Sequence, residues 1–83
     1  MTHSEMATFV QRAEEIYKSH WQERLEQTHR NYFAAIEPDS KECFLGKSLT
    51  EAGEAAFRAY PDRLTHTIRV GHKTAIFIGG ASR

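Results

Sequence analysis

The pattern of apolar and polar positions predicts a long helix at the start of the chain. Between residues 4 and 30, apolar and aromatic side chains recur every three or four positions, which is typical of an amphipathic helix. Thr2 and Glu5 have the spacing of a capping box, in which each side chain hydrogen-bonds the other residue's backbone N–H. Because the apolar positions advance mainly by four, the stripe drifts around the helix and becomes wide. Its members are Met6, Phe9, Val10, Ala13, Ile16, Tyr17, Trp21 and Leu25.

The remaining pattern predicts two hairpins separated by a second helix. Strands are expected at 32–37 and 42–46, joined by a turn at Pro38, and a helix at 48–60 that ends before Pro61. Residues 64–70 alternate cleanly, and 74–78 form the last strand, followed by a loose tail from Gly79. A three-residue turn at 71–73 pairs Ile68 with Ile76 and Val70 with Thr74, which collects the apolar residues on one face.

The predicted order is therefore α-β-β-α-β-β, an α+β domain covering residues 1–83. We expect one four-stranded, mostly antiparallel sheet with both helices packed on the same face. The opposite face would then carry Thr67, Arg69 and Phe77. That face, or an edge of the sheet, is the expected contact surface.

Composition places the chain among small globular domains. It has 83 residues, zero formal net charge, 40% hydrophobic and 27% charged residues. No apolar run approaches the length of a membrane span, no signal peptide is apparent, and the single Cys43 fits a reducing cytoplasm. A protein located in the cytoplasm, without membrane association, is expected. Because a chain this short buries a marginal core, a partner or a second copy would add stability.

No set of residues predicts catalysis. The five histidines lack the spacing of a helical metal pair, and nothing in the sequence beside Cys43 would activate a thiol. His66 is expected to be a half-buried strand histidine that is hydrogen-bonded. We therefore predict no catalytic residue, no metal ligand and no cofactor. A small hydrolase or metal enzyme is the least favoured function.

Charge is distributed unevenly along the chain. Residues 1–62 carry a net charge of −4, whereas residues 63–83 carry +4. A basic C-terminal hairpin is compatible with nucleic-acid binding through Arg69 and Lys73. The aromatic stacking pattern of RNA-binding sheets is missing, so nucleic-acid binding is kept as the alternative function.

The favoured function is a non-enzymatic protein-interaction module that binds another protein or itself. The first helix carries residue types that are enriched at protein interfaces and is longer than a domain of this size needs. A homodimer is compatible with this hypothesis. The expected interaction residues are Met6, Phe9, Val10, Tyr17 and Trp21.

Several short motifs resemble known families. The segments YFAAIE at 32–37, GKSLTEA at 46–52, YPD at 60–62 and IRVG at 68–71 resemble a family of short prokaryotic proteins of unknown function. Some members of that family are encoded beside small retropepsin-like aspartic proteases. The hairpin and helix at 34–56 also resemble half of a HicB-type antitoxin domain, in which Gly46, Ser48, Glu51 and Ala52 match the start of the helix. This second resemblance implies an antitoxin-like or regulatory role.

Overall fold

The structure is a computed structural model, and it describes residues 2–72 together with the backbone of 76–80. Its N-terminal helix is continuous and consists of α1 (His3–Ile16), a π-helical segment (Tyr17–Trp21) and α2 (Gln22–Thr28). The capping box is confirmed, because Thr2 N–H donates to Glu5 Oε1 over 2.8 Å and Glu5 N–H donates to Thr2 Oγ1 over 3.1 Å. The helix therefore starts where the cap residues predict.

The π-helical segment was not predicted from the sequence. Here the N–H of Gln22 bonds to the carbonyl of Tyr17, five residues back, so this turn is wider than an α-helical turn. A wider turn suits side chains that repeat every four residues, since it offsets the drift that an α-helix would impose. Leu25 is consequently buried, and Trp21 packs against the core that also contains Tyr17.

The strands form an antiparallel sheet in the order β2-β1-β3-β4. They are β1 (Phe33–Glu37), β2 (Glu42–Gly46), β3 (Leu64–Arg69) and β4 (Ile76–Gly80), and α3 (Leu49–Ala59) lies between β2 and β3 in the chain. The α+β class, with two helical regions and an antiparallel sheet, is confirmed. The cap of α3 also forms, because Ser48 Oγ accepts from Glu51 N–H over 3.1 Å.

The last strand extends further than predicted. Ile68 pairs with Ile76, as the three-residue turn requires, while the predicted partner Thr74 lies outside the described residues. Gly79 pairs with Thr65 and Gly80 pairs with Leu64, so the prediction of a loose tail from Gly79 is wrong. Ladder pairing with β3 overrides the low strand propensity of glycine at these two positions.

The prediction that both helices share one face of the sheet is wrong. The N-terminal helix packs on the face that contains Ala34, Ile36 and Ile68, in a core with Ala13 and Ile16 of α1. In contrast, Ala52 and Ala56 of α3 pack with Ala35, whose side chain points to the opposite face of β1. The sheet is therefore covered on both faces. Thr67, on the face expected to be an open contact surface, is buried.

The connectivity explains this arrangement. Since β2 and β3 are both antiparallel to β1, they run parallel to each other and are joined through α3. Such crossover connections have a fixed hand, which decides the face on which α3 lies. The close approach occurs at Gly46, where an added Cβ would lie 2.3 Å from the backbone nitrogen of Ala52. The N-terminal helix has no such constraint and covers the other face.

Candidate functional site

The first turns of the N-terminal helix form an exposed segment, residues 2–12. None of its residues is buried, and the first buried side chain of the helix is that of Ala13. Met6 is 42% exposed, while Phe9 and Val10 are half-buried. Three of the five predicted interaction residues therefore lie on a part of the helix that the protein's own core does not enclose.

Tyr17 and Trp21 do not belong to that surface, which corrects their predicted role. Tyr17 is only 4% exposed and lies in the core. The indole N–H of Trp21 donates to the carbonyl of Lys41 over 3.2 Å, and the guanidinium of Arg24 lies 5.0 Å from the centre of its ring. The wider π-helical turn holds both aromatic rings toward the sheet, so they stabilise the fold.

The residues predicted for nucleic-acid contact are placed only in part. The guanidinium carbon of Arg69 lies 5.4 Å from the centre of the Phe33 ring, and its Nε is buried without a hydrogen-bond partner in the described part of the chain. Lys73 lies outside the described residues. Arg69 is thus held against the protein by an aromatic ring of the neighbouring strand.

A cleft of about 480 Å³ lies beside the N-terminal helix, within the size range of small-molecule sites. One of its walls is a row of polar side chains that repeat every four residues, so they lie along one side of the helix. The row consists of Glu14, Lys18, Gln22 and Glu26. Gln22 Nε2 donates to Glu26 Oε2 over 3.0 Å, which orients that carboxylate.

The opposite wall of the cleft comes from the end of β3 and the turn after it. Ile68 supplies an apolar surface, and Gly71 and His72 complete the wall. Gly71 has a φ of +85°, a conformation that glycine adopts at little cost. His72 Nε2 and Asn31 Oδ1 are joined by a 2.7 Å hydrogen bond, which fixes the turn to the end of the helix.

Tyr17 also lines the cleft, and its hydroxyl is the least expected feature of the site. The oxygen is buried and has no hydrogen-bond partner among the described residues. Burial, the nearby Glu26 carboxylate and Cys43 raise the pKa of Tyr17 to about 12, so the phenol remains neutral. A buried hydroxyl without a partner costs free energy.

His66 differs from its prediction in two respects. It is fully buried rather than half-buried, and neither ring nitrogen has a hydrogen-bond partner in the described part of the protein. Its Nε2 lies 3.9 Å from Glu14 Oε2. Burial lowers the pKa of His66, while the Glu14 carboxylate acts in the opposite direction. The imidazole is therefore held neutral beneath the N-terminal helix.

The described residues contain no group of three or more His, Cys, Asp or Glu side chains positioned to hold a metal ion. Burial raises the pKa of the Cys43 thiol to about 12, which disfavours the thiolate. Among the same residues, no helix has both the length and the hydropathy needed to cross a bilayer.

The cleft was not predicted from the sequence. Its only signal is the row from Glu14 to Glu26, which is also what a solvated helix side looks like. Comparison with known proteins adds no assignment, because no protein-family model, curated protein or solved structure matches the chain.

Proposed function

We propose that the protein is a small, non-enzymatic cytoplasmic interaction module that self-associates through the exposed segment. The observation that supports this proposal is the absence of any buried residue from 2 to 12, in a stretch that carries Met6, Phe9 and Val10. These side chains continue the apolar stripe that packs on the sheet further along the helix. A second copy would bury them by laying its own segment alongside.

The charges of the segment favour a second copy as the partner. Glu5 and Arg12 are seven residues apart, which is two helical turns, so they lie along the same edge of the helix. When two identical helices pack antiparallel about a two-fold axis, the same edges face each other. With the axis passing near Phe9, Glu5 of each copy faces Arg12 of the other. Two ion pairs would then flank the apolar contact, and the neutral chain has no net repulsion to overcome.

Sedimentation velocity across a concentration series tests this proposal. We expect a reversible dimer in the micromolar range, and we expect Met6→Glu to weaken dimerisation by tenfold or more because it places a charge in the apolar contact. Phe57→Glu is the matched control, since Phe57 is 48% exposed but lies on α3, on the other face of the sheet. This control should dimerise like the wild type.

A charge swap tests the antiparallel geometry. Arg12→Glu should weaken the dimer, because Glu5 would then face a second acid, and adding Glu5→Arg should restore it. Circular dichroism of each variant separates this effect from loss of the capping box or of the 3.1 Å pair between Arg12 and Asp39. A wild type that is monomeric up to several hundred micromolar would end the proposal. A dimer indifferent to Met6→Glu would place the interface elsewhere.

A further inference from the structure

We propose that protonation of His66 releases α1 from the sheet while the rest of the fold stays in place. The N-terminal helix would then be docked through an acid-sensitive contact beneath the last turn of α1. This inference goes beyond the proposed self-association and does not rest on it, because the exposed segment lies outside the protein's own core in either state. The position of His66, the charges around it and the few contacts that hold α1 support it.

His66 lies on the central strand β3, beneath the N-terminal helix. It pairs with Ile36 of β1 on one side and with Ile78 of β4 on the other, and neither of these residues titrates. The side chain is fully buried, and neither ring nitrogen has a hydrogen-bond partner among the described residues. A protonated ring would be a buried charge without a hydrogen bond, which is far more costly than the neutral ring. Protonation therefore favours a state in which water reaches the imidazole.

The charges around His66 do not compensate for that cost. In the described part of the chain, the charged side chain that faces the ring is that of Glu14 in α1, whose Oε2 lies 3.9 Å from Nε2. This distance is too long for a hydrogen bond, and the carboxylate is partly exposed, so water screens its attraction. Burial lowers the pKa of His66 more than Glu14 raises it. By linkage, a proton binds more tightly once α1 has left the sheet.

Two other titratable side chains belong to this core, and they do not respond to acid. Tyr17 lies within the core and Cys43 packs against it. Burial raises the pKa of both groups to about 12, so both stay neutral at and below pH 7. The acid response of this face therefore comes from His66 and Glu14.

α1 is the element that gives way, because little holds it to the sheet. Its buried residues are Ala13 and Ile16, both in its last turn. The ion pair that joins Arg12 to Asp39 of the β1–β2 turn contributes little, since both side chains are more than half exposed. Opening a segment with so few buried contacts costs much less free energy than unfolding the whole protein. A single proton can therefore shift the balance.

The π-helical segment separates α1 from the firmly held part of the N-terminal helix. It follows α1 directly and interrupts the α-helical hydrogen-bond pattern. From this segment onward the helix is anchored, because Tyr17 and Leu25 are buried and the indole of Trp21 donates to Lys41. Helices bend sharply at such π-helical turns. A bend here would free α1 and leave α2 on the sheet.

Nuclear magnetic resonance of the full-length protein, from neutral pH to about pH 5, tests the inference in a range where most carboxylates stay charged. We expect the amide signals of Ala13 and Ile16 to move toward random-coil positions. Their midpoint should coincide with that of the His66 ring signals and lie below the ordinary histidine value of 6.5. The amide signals of Ala52 and Ala56 in α3 should stay unchanged, which distinguishes release of α1 from global unfolding.

Three variants assign the transition to His66. His66→Leu removes the titrating ring and should abolish the movement of the α1 signals. Glu14→Gln removes the attraction that favours a protonated ring beneath the docked helix, so a larger fraction of α1 should be released at the same acid pH. Glu15→Gln is the matched control, because it removes the same charge from an exposed neighbouring residue, and it should behave like the wild type.

Four results would each overturn the inference. The α1 signals could stay fixed over the whole pH range, whether or not the ring titrates, which would mean that the helix remains docked. The α3 signals could move with the same midpoint, which would mean global unfolding. The acid response could persist in His66→Leu, or it could become weaker in Glu14→Gln. The last result would mean that a protonated His66 pairs with Glu14 and holds the helix in place.

Discussion

The two faces of the sheet differ in how their fully buried ionisable side chains are hydrogen-bonded. On the α3 face, Glu37 is 1% exposed, and its carboxylate accepts from the backbone N–H groups of Asp39 and Ser40 and from Arg63, over 2.8 to 3.1 Å. On the face covered by the N-terminal helix, His66 is 0% exposed and has no hydrogen-bond partner among the described residues. The Glu37 carboxylate therefore accepts three hydrogen bonds, whereas the His66 ring makes none with the described residues.

This difference distinguishes a buried polar group that stabilises the fold from buried polar groups that cost free energy. A buried carboxylate is tolerated only when it is paired and hydrogen-bonded, so the contacts of Glu37 hold the β1–β2 turn and Arg63 in place. The helix face, in contrast, contains two buried side chains whose polar atoms lack hydrogen-bond partners among the described residues, His66 and Tyr17, whereas on the α3 face the half-buried Arg69 has an unpartnered Nε. Unpartnered groups are rare in stable cores, and because His66 and Tyr17 are almost fully buried, they make the helix face the more costly one to bury.

Removing the Glu37 carboxylate should have the largest effect on the free energy of unfolding. Glu37→Ala deletes three hydrogen bonds, one of them to Arg63, whose half-exposed side chain is partly screened by water. We expect the free energy of unfolding to fall by about 2 kcal/mol, measured by urea denaturation.

The matched control is Glu54→Ala on the exposed side of α3, which should change stability by less than about 0.5 kcal/mol. Equal losses for the two variants would mean that the contacts of Glu37 contribute nothing specific. The contrast between the two faces of the sheet would then be wrong for the α3 face.

Local features of the fold could be predicted from the sequence because local chemistry determines them. Thr2 and Glu5 begin one helix and Ser48 begins another, since hydroxyl side chains satisfy the free N–H groups of a first turn. The pairing of Ile68 with Ile76 follows from the length of the turn and the need to keep apolar residues together.

Features that depend on distant parts of the chain could not be predicted in this way. The face occupied by α3 follows from the order of the strands, and its close packing involves Gly46 of β2 together with the small residues Ala52 and Ala56 of the helix. The cleft needs the side of the N-terminal helix and the Gly71 turn together. Whether the Tyr17 hydroxyl or the His66 ring finds a partner is decided only by the completed packing.

Replacing the unpartnered imidazole should have the opposite sign from replacing Glu37. His66→Leu introduces an apolar side chain of similar volume and removes two nitrogen atoms that lack hydrogen bonds in the described structure. We expect the free energy of unfolding to rise by about 1 kcal/mol at pH 7, measured by the same urea denaturation. A loss of similar size would show that the ring has a partner in solution and would remove the contrast with Glu37.

The pH dependence sharpens this test. Because burial lowers the pKa of His66 in the folded state, the unfolded chain binds a proton at a higher pH than the folded chain does. The wild type should therefore lose stability as the pH falls below the ordinary histidine value of 6.5, and His66→Leu should lack that part of the loss. The exposed His20→Gln variant should retain it. Parallel pH profiles for wild type and His66→Leu would contradict the lowered pKa.

The smallest effect concerns two tyrosines that differ in the same way as Glu37 and His66. The hydroxyl of Tyr60 donates to Glu42 over 2.5 Å, and this hydrogen bond raises the pKa of Tyr60, whereas the hydroxyl of Tyr17 is buried without a partner in the described structure. Tyr17→Phe should raise the free energy of unfolding by about 0.5 kcal/mol, because it removes a desolvated oxygen. Tyr60→Phe should lower it slightly, because it breaks a contact that solvent already weakens. Thermal denaturation of the two variants side by side measures the difference. A destabilised Tyr17→Phe would mean that the hydroxyl has a hydrogen-bond partner in solution, and the contrast between the two tyrosines would then be wrong.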